Sequence, residues 1–167
     1  MEHKILKKVN SDKRLSLALI IVSHASVIAS AVAYLVFLYR CFALSKILFI
    51  KAIAVTAIPF LLVSVMRGVI NAKRPYELYD FYDTPPKNKR GHSFPGRHAF
   101  SAFLISTVAF PLMPAVSAAL FVLGILLCFS RVLLGVHFVR DVVAGALIGI
   151  SSGVIGIFSI GLNFFWF

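Results

Sequence analysis

The sequence is poor in acidic residues. Its 167 residues include six aspartates and glutamates against seventeen lysines and arginines, which gives a formal net charge of +11. The six carboxylates are scattered along the chain, so they do not form the oxygen-rich cluster that binds Mg²⁺ or Ca²⁺. We therefore expect a site for a negatively charged ligand to be built from basic side chains, without a metal ion or another cofactor.

Cysteine is also scarce, with Cys41 and Cys128 as the only two. They fall near the ends of different predicted helices, and the topology described below puts those ends on opposite faces of a membrane. A disulfide needs Cα atoms within about 7 Å of each other. No disulfide is therefore expected.

Long polar stretches are few, since hydrophobic residues make up 60% of the chain and the mean hydropathy is +0.94. This composition excludes a water-soluble protein and indicates a single membrane domain over 1–167. The net positive charge alone would be compatible with a protein that binds nucleic acid. The lysines and arginines, however, lie in short segments between apolar runs, so we expect anionic lipid headgroups and phosphate as partners, and no nucleic acid.

The apolar runs predict an all-α bundle of five transmembrane helices. Each run is long enough for the hydrocarbon core, at about 15–39, 46–69, 96–113, 115–134 and 138–162. Residues 1–14 form a basic leader of the kind that anchors a chain at the cytoplasmic face. A cleaved signal peptide is the alternative, and it is disfavoured because the first apolar run continues to Leu38.

Small residues recur within the fifth run, where Gly145, Gly149 and Gly153 are four residues apart. This spacing aligns them on one helix face and allows a neighbouring helix to approach closely. The alternative is the general tolerance of membrane helices for glycine.

Ionisable residues between the last two runs mark a candidate site, because a charge at a helix centre in lipid costs about 2.5–3.5 kcal/mol. Arg131, His137 and Asp141 lie in this stretch. If a helix begins near residue 137, His137 and Asp141 share one face, where the carboxylate can fix the imidazole tautomer. The pair then suits a nucleophile and its orienting acid.

Two earlier clusters supply further charge. Arg67 and Arg74 are seven residues apart, which is about two helical turns, and Pro75 is expected to end their helix. Turn-prone residues at 93–98 lead into an apolar run that starts at Ala99. A helix beginning there would offer free backbone N–H groups and a positive dipole end to an anion.

The three stretches together resemble the type 2 phosphatidic acid phosphatase family, whose signature is K-x6-R-P, then P-S-G-H, then S-R-x5-H-x3-D. The resemblance covers about 50–160, and the third motif matches at every fixed position. Arg67 replaces the usual lysine, and Gly96 and Arg97 stand where the family has serine and glycine. We interpret Arg97 either as an extra phosphate donor or as a surface group.

The resemblance implies a metal-independent lipid phosphate phosphatase with a phosphohistidine intermediate. In that family's terms, His137 is the nucleophile, Asp141 orients it and His98 is the general acid and base. The residues that would bind phosphate are Arg67, Arg74, Arg131, Gly96 and Arg97.

The implied substrates are undecaprenyl diphosphate, phosphatidylglycerophosphate and phosphatidate. A lipid phosphotransferase is one alternative function. A catalytically silent protein that binds or transports lipid phosphates is another.

The predicted topology also places the site relative to the membrane, which we expect to be a bacterial cell membrane. Five spans put the leader, the loop with the first two motifs and the third motif on one face. Without the four arginines assigned to phosphate, that face carries ten lysines and arginines, and the opposite face carries three. The positive-inside rule therefore favours a cytoplasmic site.

Overall fold

The protein is described here from a computed structural model that covers residues 2–79 and 90–161, with side chains from Leu6 onward. These residues form helices and no strands, which confirms the predicted all-α class. The elements are α1 (Glu2–Ser11), α2 (Lys13–Leu44), α3 (Lys46–Ile70), α4 (Pro75–Leu78), α5 (Arg97–Ala109), α6 (Pro114–Leu133) and α7 (Val139–Ile160). Part of the connection before α5, and the end of the last predicted span, lie outside the described residues.

The predicted membrane bundle is confirmed, with one correction. Within the described part of the chain, four helices are long and apolar enough to cross a membrane: α2, α3, α6 and α7. The third predicted span, α5, has thirteen residues and is therefore about 20 Å long, against about 30 Å for a hydrocarbon core. The apolar run continues beyond Ala109, but Pro111 and Pro114 cannot donate backbone hydrogen bonds and the chain turns there.

The short helix α5 lies at the centre of the bundle and packs against α2, α3, α6 and α7. Its apolar side chains Phe100, Leu104 and Val108 are buried in a core with Phe37 of α2 and Val63 of α3. Because α5 is surrounded, its first turn is held inside the bundle rather than at the surface. Apart from Arg97, whose side chain is exposed, the residues at that turn are therefore buried or part-buried.

Close packing between α5 and α7 depends on glycine, as the four-residue spacing predicted. A Cβ atom at Gly145 would lie under 3.0 Å from the carbonyl oxygen of Gly96, and one at Gly149 would approach the carbonyl oxygen of Phe100 as closely. A Cβ at Gly153 would instead lie 2.6 Å from the side-chain Cβ of Thr107. The row of glycines thus lets the two helices pack closely along about two turns.

Serine hydroxyls join α5 to α6. The Ser106 hydroxyl donates to the carbonyl of Ser117 at 2.9 Å, and the Ser117 hydroxyl donates to the carbonyl of Ser106 at 2.6 Å. Both side chains are buried, so each hydroxyl satisfies a donor that would otherwise be unpaired in an apolar environment. These reciprocal bonds fix the register of the two helices.

The two cysteines are free, as predicted. Cys41 is buried near the end of α2, in a core that includes Met113 and Ile160. Cys128 is in α6, one turn before the basic residue Arg131 that belongs to the opposite end of the bundle. The separation of the two thiols follows from the up-and-down order of the helices.

We expect Gly149→Ala to destabilise the protein, because its Cβ would meet the α5 backbone and overpacking costs about 1–3 kcal/mol. The matched control is Gly68→Ala in α3, whose added Cβ would meet nothing within 4 Å. Thermal unfolding in detergent should show a lower midpoint for Gly149→Ala than for Gly68→Ala. Equal midpoints would contradict the packing role of the glycine row.

Candidate active site

Asp141 is the centre of the candidate site, and its side chain is fully buried, with 0% exposure. It is the third residue of α7, where the helix dipole favours a negative charge. Its Oδ2 accepts hydrogen bonds from the Phe138 amide at 3.0 Å and the Ser93 hydroxyl at 2.5 Å. Its backbone carbonyl accepts from the Gly96 amide at 2.7 Å. Asp141 therefore joins the stretch before α5 to the start of α7.

His137 lies before α7 rather than on it. The helix begins at Val139, because the Asp141 carboxylate accepts from the amide of Phe138 just outside the first turn. The prediction that His137 and Asp141 share a helical face is therefore wrong. The two side chains still meet, with His137 Nδ1 at 3.6 Å from Asp141 Oδ2.

Ser93 lies between these two side chains. Its hydroxyl donates to Asp141 Oδ2, so it can accept a hydrogen bond from Nδ1–H of His137, from which it is 3.2 Å away. This arrangement selects the His137 tautomer with the proton on Nδ1 and a free lone pair on Nε2. Sequence reasoning gave Ser93 no role, since a contact across 44 residues leaves no trace in local spacing.

Two opposing effects act on the pKa of His137. Burial lowers it, because the imidazolium form is poorly solvated, while the hydrogen-bonded Asp141 carboxylate raises it. The nearby positive charges of Arg74 and Arg67 lower it further. The pKa of His137 lies below its ordinary value as a result, and the ring is neutral at pH 7.

The local structure around the first motif differs from the prediction. Helix α3 ends at Ile70, where Asn71 takes a left-handed conformation with φ of 44° and caps the helix. Arg74 is therefore not on the same helix as Arg67. Pro75 begins α4 and does not end α3, consistent with the preference of proline for a first helical position.

Arg67 and Arg74 nevertheless reach the same site through backbone carbonyls. Arg67 Nη1 donates to the carbonyl of Pro95 and, at 3.4 Å, to that of Ser93. Arg74 Nε donates to the carbonyl of Gly91 at 3.0 Å. Both side chains are buried, so the stretch before α5 holds the two guanidinium groups in place.

Arg131 completes an arginine cluster with Arg67 and Arg74. It lies in the last turn of α6, and its Nε is buried with no hydrogen-bond acceptor among the described residues. A buried, unpaired donor is costly. Three guanidinium groups against the one buried carboxylate of Asp141 leave an excess of positive charge in the site, which suits a phosphate group.

Gly96 has a packing role. Its amide donates to the Asp141 carbonyl, so the prediction that this N–H binds phosphate is wrong. A Cβ at this position would lie 2.9 Å from the Asp141 carbonyl oxygen. The backbone donors left for an anion are the amides of Arg97 and His98, which have no partner within their own helix.

His98 and Arg97 border a cavity of 470 Å³ between α2, α3 and α5. His98 is part-buried and is the second residue of α5. The Arg97 side chain is exposed, and its guanidinium carbon lies 5.7 Å from the ring centre of Phe60, a cation–π contact. Arg97 is close enough to Arg67 and His98 for its charge to act on both.

Comparison with known proteins supports the architecture. Residues 48–163 match the PAP2 superfamily, which is well over half of the chain. The crystal structure of Aquifex aeolicus LpxE is similar, with a TM-score of 0.66 and 25% identity over 92% of this chain and 93% of that one. No curated protein sequence matches the chain.

A transmembrane PAP2-type phosphatidylglycerolphosphate phosphatase from Bacillus subtilis has the same fold. Its crystal structure gives a TM-score of 0.69 with 22% identity, over 93% of this chain and 82% of that one. At this identity the likeness concerns the fold alone.

We expect Ser93→Ala to lower kcat by about tenfold or more, because a hydrogen bond to a charged group contributes about 1.5–3 kcal/mol. The KM should change less, since Ser93 positions His137 without facing the ligand. The control is Ser117→Ala, which removes a buried serine hydrogen bond at a distance from the site. Phosphate release by both variants checks this, and an equal loss of kcat would show that Ser93 is only structural.

Proposed function

Because this chain belongs to the PAP2 superfamily, we propose that it is an integral membrane phosphatase that hydrolyses the terminal phosphate of a lipid phosphate or diphosphate. The observation that carries this proposal is the convergence of the arginine cluster, His98 and the Ser93-linked pair of His137 and Asp141. These residues come from three separate stretches of the chain, at 67–74, 93–98 and 131–141. Structural packing alone gives no reason to bury the guanidinium groups of Arg67 and Arg74 beside a neutral histidine.

In the first step, the lone pair on His137 Nε2 attacks phosphorus. The Asp141 carboxylate and the Ser93 hydroxyl hold the opposite ring nitrogen and stabilise the positive charge that develops on the ring. Burial and the neighbouring arginines lower the pKa of His98 in the free protein, so we propose that His98 takes up its proton when the negative charge of the substrate is bound beside it. It then donates this proton to the leaving oxygen, a contribution typically worth about 10²- to 10⁴-fold. The product of this step is a phosphohistidine at His137.

In the second step, neutral His98 takes a proton from water and the resulting hydroxide attacks phosphorus. The bond to His137 breaks and inorganic phosphate leaves. The arginine cluster binds the non-bridging oxygens in both steps, assisted by the amides of Arg97 and His98. In this scheme the guanidinium groups supply the positive charge that a metal ion supplies in other phosphatases.

A silent lipid-phosphate receptor is the alternative that the missing serine of the second motif would favour. The contact of Gly96 with the Asp141 backbone offers a packing reason for glycine, independent of any loss of activity. A phosphotransferase would share the first step and pass the phosphoryl group to another lipid. Phosphate release and transfer to an added acceptor distinguish the two enzymes.

We expect the purified protein in detergent to release phosphate from one or more of undecaprenyl diphosphate, phosphatidylglycerophosphate and phosphatidate. His137→Ala should abolish turnover, because in the proposed mechanism His137 accepts the phosphoryl group. Acid quench of His98→Ala should trap labelled phosphohistidine, since water activation becomes slow.

The matched control is His24→Ala. His24 is exposed on α2 and bonds only to a carbonyl of its own helix among the described residues, at 2.8 Å. This variant should keep full activity. Turnover by His137→Ala at the parent rate would overturn the mechanism.

We expect kcat/KM to fall on the acid side with an apparent pKa below the ordinary histidine pKa of about 6.5. The attacking form of His137 is neutral, and burial lowers its pKa, so it is protonated and inactivated only at a lower pH. The second ionisation of a phosphate monoester, at about pH 6, is measured by phosphorus NMR and subtracted. An acid limb above the ordinary histidine value would contradict the assignment.

A further inference from the structure

Arg97 differs from the arginine cluster in the direction of its side chain. Its guanidinium lies over the ring of Phe60. On α3, Phe60 precedes Arg67 by seven residues, which corresponds to about 10 Å along the helix axis toward the middle of the bundle. Arg97 therefore extends from the first turn of α5 to the membrane side of the arginine cluster.

The cavity beside Arg97 is polar at one end and apolar beyond it. Arg97 and His98 lie at the end that adjoins the site, and apolar side chains such as Val27, Ile105 and Leu127 line the rest. Within the wall, Tyr34 and Thr56 satisfy each other through a hydrogen bond of 2.6 Å. The volume of 470 Å³ falls in the range of small-molecule pockets, about 300–1,000 Å³. This shape suits an amphiphile with an anionic end at Arg97.

The position of His98 indicates which part of a substrate would lie there. His98 borders the cavity, and in the proposed mechanism it protonates the leaving oxygen. The leaving group therefore lies on the cavity side, beside Arg97. An alcohol leaving group gives the Arg97 guanidinium no charge to bind, whereas a phosphate leaving group does.

We propose that Arg97 binds the second phosphate of a lipid diphosphate, so that the protein selects diphosphates over monophosphates of the same lipid. This inference rests on the proposed phosphatase function. His137 Nε2 bonds to the terminal phosphorus, and the bond from that phosphorus to the bridging oxygen breaks. The electron pair stays on the bridging oxygen, which takes the proton of His98, and water then releases the terminal group as inorganic phosphate.

The test compares farnesyl diphosphate with farnesyl monophosphate, two substrates with the same chain, using the purified full-length protein in detergent. Arg97→Gln should lower kcat/KM for the diphosphate by about 10- to 100-fold, the loss expected for a charge-assisted hydrogen bond. The monophosphate value should fall by less than about threefold, since the arginine cluster still binds its one phosphate. Arg97→Lys keeps the charge without the planar fork of the guanidinium. Its kcat/KM for the diphosphate should therefore lie between the values of the parent protein and of Arg97→Gln.

The matched control is Arg14→Gln, which removes one positive charge from an exposed position at the start of α2. This variant should leave kcat/KM unchanged for both substrates. An equal loss on both substrates in Arg97→Gln, or no loss on either, would overturn this inference and leave the phosphatase function standing. No turnover of either lipid by the parent protein would overturn both.

A binding measurement separates affinity from chemistry. In the His137→Ala background, a non-hydrolysable farnesyl bisphosphonate should bind more tightly than farnesyl phosphonate, and Arg97→Gln should remove that difference. Unchanged thermal unfolding of the variants shows that they are folded. Equal affinities for the two ligands before Arg97 is changed would also overturn the inference.

Discussion

The buried carboxylate of Asp141 is the interaction on which the rest of the site depends. A charge without solvent exposure is tolerated only when hydrogen bonds and nearby positive charge compensate for lost hydration. Asp141 obtains these from the Ser93 hydroxyl and the Phe138 amide, beside the first turn of α7. The same requirement draws the stretch before α5 against the start of α7, so the charge that orients His137 also brings the two motifs together.

Positive charge is held in the site by irregular backbone rather than by helices. The carbonyl groups of Gly91, Ser93 and Pro95 accept from Arg67 and Arg74, and they are free to do so because they lie outside helical hydrogen bonding. In a membrane protein such backbone is tolerated where it is buried in protein or lines a cavity. The segment at 91–96 therefore both satisfies its own polar groups and positions the guanidinium groups. A phosphate would complete the compensation, since one carboxylate does not balance three arginines.

Backbone contact between α5 and α7 sets the distances in the site. Gly145 and Gly149 let α7 approach α5, and Gly96 continues this contact into the site by touching the backbone of Asp141. The exchange of the family's serine for Gly96 thus has a steric reason in this chain. Arg97, at the next position, extends away from this contact toward Phe60, where the cavity begins. At the second motif, Gly96 therefore provides the close packing and the neighbouring Arg97 provides the positive charge.

The sequence by itself determined the membrane class, the four long helices, the glycine row and the identity of the charged residues. These follow from hydropathy and local spacing, which act over one or a few helical turns. The helix boundaries predicted from the sequence were wrong where a polar contact ends or starts a helix against the local hydrophobic periodicity. Asn71 ends α3 before Arg74, and the cap supplied by Asp141 starts α7 after His137. Only the tertiary structure placed Ser93 between His137 and Asp141, engaged the Gly96 amide and directed Arg97 toward the cavity, because these contacts join segments tens of residues apart whose approach is decided by burial and helix packing.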